Sequence, residues 1–141
     1  MKKLLFFVLL LACLTLTSCK KVTTKLTKEN YDEFLTVHYE ANPSKMLGSY
    51  FTQIDDLVEV RSIKKSSYKD VKIYVTVTFR YTVPGVENQI FKHFNHVLTL
   101  NENGYAKESL HKTLNESEYL IPQLSYYVDM KVTRITGEVT R

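Results

Sequence analysis

The sequence predicts an all-β fold, an antiparallel immunoglobulin-like β-sandwich of about seven strands. Three observations carry that expectation. From Val71 to Val83 every odd position is apolar, while Lys72, Tyr74, Thr76, Thr78, Arg80 and Thr82 fill the even ones. Shorter alternating runs recur along the chain, separated by turn-forming residues. Helical periodicity is confined to one short stretch, and no segment repeats. Period two over β-branched and aromatic residues marks a strand with one face on a core.

In chain order, Lys20 to Lys25 reads as a polar tether whose only apolar residue is Val22. Thr27, with Glu29 and Asn30 behind it, reads as a helix start, because its hydroxyl can accept from an orphan first-turn amide. Tyr31, Phe34 and Leu35 then share one helical face, so one or two turns are expected there. Leu35, Val37 and Tyr39 alternate with Thr36, His38 and Glu40 as a strand, which Asn42-Pro43 is expected to break. Leu57 to Lys64 reads as a shorter strand and "KKSSYKD" as a loop. Pro84-Gly85 ends the long strand. Ile90 to Leu100 follows, with Phe94, His96, Leu98 and Leu100 on one face. Asn101–Gly104 is a turn in which Gly104 suits a positive φ, and Tyr105 to Leu114 returns from it. Tyr126, Val128, Met130 and Val132 alternate last, and the phase then shifts to Ile135 and Val139, which predicts a bulge near Arg134. The sandwich rests on strand count alone, since there is no Cys…Trp…Cys signature. The alternative is an α+β fold, with "KENYDEFLTVHYE" helical throughout and packed on a curved sheet.

Ahead of this lies a different kind of sequence. Met1-Lys2-Lys3 is a basic start, and Leu4 to Leu16 is apolar apart from Cys13 and Thr15. The run is shorter than the ~20 residues a membrane span needs, and its layout is that of a secretory signal peptide. Leu16-Thr17-Ser18-Cys19 resembles the lipobox of bacterial lipoproteins. The resemblance implies a diacylglyceryl group on the Cys19 thiol, palmitate-type acyl chains, and cleavage that leaves Cys19 first. Leu11-Ala12-Cys13 is the poorer site, since it leaves a greasy core of only about eight residues. Export and attachment to the cell membrane or outer surface follow as expectations. Several acyl chains hold a domain where one binds only marginally, and Lys20 and Lys21 stand ready for anionic headgroups. The expected organisation is a signal peptide at 1–18, a lipidated tether at 19–25 and one domain at 26–141. "LTKENYDEFL", "DVKIYVTVTFRY" and "ITGEV" also resemble stretches of small uncharacterised lipoproteins of low-GC Gram-positive bacteria. That likeness implies an all-β, surface-attached domain and brings no catalytic residues with it.

Composition narrows the function classes. Loss of Lys2 and Lys3 leaves 17 of the 19 basic residues against 15 acidic ones. So near-neutral a balance leads one to expect no concentrated basic face of the kind a nucleic-acid binder carries. Discarding Cys13 and lipidating Cys19 uses both cysteines, which removes disulfides, thiolate zinc sites and a cysteine nucleophile together. There is no Gly-x-Ser-x-Gly elbow, and the four glycines lie too far apart for a phosphate-cradling loop. No cofactor, no metal and no catalytic residue are expected, and the domain reads as a non-enzymatic monomer.

Three groups of residues merit weighing. His93 and His96, three apart on a strand, point to opposite faces and cannot share a metal. His96 falls on the apolar phase as a satisfied core-edge histidine, while His93 and His111 could meet across the Asn101–Gly104 hairpin. Asp55, Asp56 and Glu59 read as a solvated loop entering a strand, lacking the ligand rhythm of a calcium site. Tyrosine is the compositional excess, ten residues with no tryptophan. Tyr74, Arg80 and Tyr127 fall on outward phases and form the candidate binding face, tyrosine offering area and a polar tip at low entropy cost. The leading expectation is a protein-interaction module at the cell envelope. The alternative is a ligand-binding lipoprotein for a glycan, peptide or envelope polymer.

Overall fold

A computed structural model describes residues 20–141. The predicted leader and the predicted lipidation site at Cys19 lie outside the described residues. Seven strands follow in order: β1 Thr23–Lys25, β2 Leu35–Leu47, β3 Tyr50–Ser62, β4 Ser67–Tyr81, β5 Ile90–Thr99, β6 Ala106–Thr113 and β7 Tyr126–Thr140. They form two antiparallel sheets, β1-β7-β4-β5 and β2-β3-β6, so the chain is the all-β sandwich its strand pattern predicts. Four strands against three is also the division of an immunoglobulin constant-type domain, although the order within each sheet differs from ABED and CFG. Helix among the described residues is limited to single 3-10 turns at Tyr31–Glu33 and Glu116–Glu118. The first feeds β2 directly, and Phe34 and Leu35 behind it are buried. No helix among the described residues is long and apolar enough to cross a membrane.

The sustained alternation of β4 leads it between β7 and β5 in the four-stranded sheet. Val71, Ile73, Val75, Val77, Phe79 and Tyr81 are each 1% exposed or less. β3 faces them with Ile54, Val58 and Val60. Burying each such side chain contributes ~1.5–3 kcal/mol, so this double layer is the source of the domain's stability. Two tyrosines tie the layers at their ends. The Tyr68 hydroxyl donates to the Phe34 carbonyl at 3.0 Å, and the Tyr81 hydroxyl donates to the Glu118 carbonyl at 2.8 Å.

Several elements depart from expectation, each for a local reason. β2 runs straight through Asn42-Pro43, with Pro43 opposite Ile54. It is an edge strand, where a proline leaves no ladder bond unmade on the open side. β3 begins at Tyr50 rather than Leu57, and Asp55-Asp56 lies in mid-strand rather than in a loop. β4 begins at Ser67, inside the predicted loop. The bulge near Arg134 is present: Tyr74 pairs with Arg134 but Val75 with Val132, leaving Thr133 extra. A second shift lies between Lys69 and Lys72, where Gly137 sits at φ 105° opposite Asp70 at φ 51°. A Cβ on Gly137 would stand 2.6 Å from the Val71 Cα, so only glycine permits this close pairing. Gly104 has φ 74°, as its turn requires. That turn does not close an in-sheet hairpin, however: β5 and β6 belong to different sheets.

The topology gives the sandwich two unlike ends. Val22 and Arg141 exchange backbone hydrogen bonds of 3.1 and 3.0 Å. One end, where the predicted tether enters, therefore holds both ends of the described chain, together with the β3–β4 and β5–β6 crossovers. The far end carries the β2–β3 hairpin, the β4–β5 loop and the Leu114–Ser125 connection.

Candidate functional site

Strand register places the predicted trio on one surface. Across the outer face of the four-stranded sheet run the rows Tyr127–Arg80–Phe91, Asp129–Thr78–His93, Lys131–Thr76–Asn95 and Arg134–Tyr74–Val97. Tyr74 and Arg80 are half-buried by these neighbours, while Tyr127 is 56% and Phe91 49% exposed. The Arg80 guanidinium lies 4.1 Å over the Tyr127 ring, and that of Arg134 lies 5.3 Å over Tyr74. Thr76 donates to Asn95 at 2.9 Å, and Thr78 meets His93 Nδ1 at 3.0 Å. The face is thus a lattice of paired polar groups edged by aromatic rings.

Its outermost row opens onto the far end, which carries most of the exposed large apolar side chains among the described residues. Met46, Leu47 and Tyr50 come from the β2–β3 hairpin, Val86 and Phe91 from the β4–β5 side, and Tyr126 and Tyr127 from the start of β7. These are seven of the eleven exposed large hydrophobic residues among those described. Beside them is a groove of about 500 Å³ lined by Tyr50, Val83, Pro84, Tyr119, Ile121 and Leu124, with Glu116 and Ser117 as its polar residues. Lys92 bonds Glu118 at 2.7 Å and fixes one wall. Burial works against the Glu118 charge, but Lys92 and the Asn115 amide together hold its carboxyl below the ordinary value. Sequence reasoning does not find this end, because its members come from three separate connections.

A third cluster lies inside the sandwich. His96 of β5 places Nε2 at 2.7 Å from Asp56 Oδ2 and Nδ1 at 2.8 Å from Glu108 Oε2. The Leu110 amide donates to the other Asp56 oxygen at 3.2 Å. The side chains of His96 and Asp56 are wholly buried, and that of Glu108 is 40% exposed. Asp56 is therefore not the solvated loop residue its neighbours suggest: its carboxyl is pushed up by burial, against the pull of His96. Both ring nitrogens are occupied by carboxylates, which leaves none to activate a nucleophile. The cluster is a polar strut between the sheets. The sequence does carry a signal for it, since Asp56 stands on the inward phase of Ile54, Val58 and Val60.

His93 and His111 do not meet. His93 sits on the outer face of one sheet, whereas His111 pairs with Asp55 on the other. There it lines a polar groove of about 500 Å³ with Glu40, Asn42, Gln53 and Ser109. Among the described residues no group of three or more His, Cys, Asp or Glu side chains is arranged so that it could hold a metal ion. No protein family, curated protein or solved structure matches this chain.

Proposed function

We propose that the protein is a membrane-anchored lipoprotein, held by lipid on Cys19, which acts without catalysis by contacting a protein partner in the cell envelope through the far end of its sandwich. The observation that carries this reading is the gathering of seven of eleven exposed large hydrophobic residues at the end opposite the tether. Only Lys20 and Lys21 separate Cys19 from Val22, whose backbone is bonded to Arg141. Lipid at Cys19 therefore keeps the tether end beside the bilayer and directs the far end away from it. Exposed apolar side chains gathered at one end favour an interaction site, and tyrosine, phenylalanine and methionine are enriched in such sites.

Replacing Cys19→Ala tests the anchor. The variant is expected to leave the membrane fraction, while the wild-type N-terminal peptide carries the mass of a lipidated Cys19. Membrane retention of the variant, together with an unmodified wild-type peptide, contradicts it.

A second reading, ligand binding by the outer face of the four-stranded sheet, is favoured by the common placement of Tyr74, Arg80 and Tyr127 on that face. The two readings are compatible, because the Tyr127–Arg80–Phe91 row borders the far end.

A further inference from the structure

The outer face of the four-stranded sheet is also where the molecule's charge is segregated. Between the rows of Arg80 and Lys72 it presents Arg80, Lys131, Arg134 and Lys72 against one carboxylate, Asp129. The opposite outer face sets Glu40, Asp55 and Glu59 against Arg61 and Lys107. Residues 20–141 as a whole are close to neutral, so the basic face reflects placement rather than composition.

The four arginines of the chain divide in the same way. Arg61 is bound to Glu59 at 2.9 Å, and Arg141 donates to the Glu33 carbonyl at 3.0 Å. Arg80 and Arg134 have no protein acceptor among the described residues, and each is laid against a tyrosine ring. A stacked guanidinium is held in place while its fork of N–H donors stays open, the arrangement that suits bidentate binding of an oxyanion. The four cations do not converge on a point. Arg80 and Lys72 are separated by eight residues of β4, about 26 Å of strand, with Lys131 and Arg134 on rows between them. A single small anion meets one of them at a time, whereas a linear chain with an oxyanion on each repeat meets all four.

We infer that this face binds a linear phosphate-bearing polymer, with Arg80 and Arg134 gripping successive anionic groups and Lys131 and Lys72 adding charge. The inference rests on the ligand-binding reading of the face and names its ligand class. Inorganic polyphosphate, end-labelled and followed by fluorescence anisotropy, is the probe, titrated with the full chain in neutral detergent micelles. Binding is expected to weaken steeply between about 50 and 200 mM salt, as counterion release requires. Arg80→Gln with Arg134→Gln is expected to lower affinity about tenfold and to flatten the salt slope, by roughly one unit for each phosphate no longer neutralised. Arg61→Gln with Lys107→Gln on the opposite face is expected to change neither, and an unaltered unfolding midpoint in both pairs shows that the fold is intact. Absence of polyphosphate binding, or equal weakening in both pairs, overturns the proposal. Labelled dextran that binds instead, and is released by Tyr127→Ala, overturns the anionic class while leaving the ligand-binding reading standing. Polyglutamate binding more tightly than polyphosphate also overturns it, in favour of an acidic protein.

Discussion

At the scale of single residues, His96 is a polar side chain that bridges the two sheets inside the core. It reaches from β5 to carboxylates on β3 and β6, so one imidazole ties the two sheets together in the core. A buried cluster of this kind adds little net stability compared with apolar packing, yet removing one member leaves an uncompensated charge. His96→Ala should therefore cost about 3–5 kcal/mol in urea unfolding. Glu108→Ala should cost less, its side chain being 40% exposed. Replacing the pair together, Asp56→Val with His96→Leu, should recover most of the His96→Ala deficit. A His96→Ala variant as stable as the parent would show that the strut holds no charge worth satisfying. The histidine is legible in the sequence as an inward residue on the phase of Phe94 and Leu98. Its partners are less so. Asp56 sits between Asp55 and Leu57, where an acidic pair looks solvated, and Glu108 lies in a strand too polar to show a phase.

At the scale of elements, legibility follows the contrast between the two faces of each strand. From Val71 to Tyr81 β4 is apolar inward and polar outward, and these inward residues stand out in the sequence, whereas buried Tyr68, before the bulge, reads as part of a loop. β5 and β7 are visible for the same reason, down to the bulge at Arg134 that resets the phase between Val132 and Ile135. The first half of β3 is hidden because Tyr50 to Asp56 mixes apolar and polar residues on both faces, with Gln53 and Asp56 buried. β2 runs longer than its sequence suggests because Asn42-Pro43 is a break only where an amide is needed for pairing, and an edge strand supplies an exception. The Glu116–Glu118 turn is closed locally by the Asn115 amide donating to the Glu118 carboxylate at 3.1 Å, while its tie to Lys92 of β5 cannot be read from the sequence. That turn carries a pH signature. The Glu118 carboxyl is held below its ordinary value of 4.5, so its contribution is fully present above pH 4.5 and fades as pH falls below it. Urea unfolding of Glu118→Gln should lie about 0.5–1 kcal/mol below the parent near neutrality. The two curves should converge in acid. A constant difference down to pH 3 would count against the Lys92–Glu118 clamp.

At the scale of the whole molecule, the features that matter come from the crossovers, and alternation along a strand says nothing about those. Period two gives each strand an inside and an outside, but which strands become neighbours is settled by loops such as Asn101–Gly104, which changes sheets where a hairpin was expected. That change separates His93 from His111. The remaining loops gather Leu47, Tyr50, Phe91 and Tyr127 at the end away from the tether, although they are scattered along the sequence. The two ends then have separate roles in the proposed function: one brings the domain to the bilayer, and the other meets the partner. Photo-crosslinking in intact cells tests this division most directly. A photoreactive residue is placed in turn at Leu47 on the far end, at Ser109 on the outer face of the three-stranded sheet, and at Ile63 near the tether. The account predicts a discrete protein adduct from position 47 and none from 109 or 63. Adducts from 109 or 63 with none from 47 would contradict it.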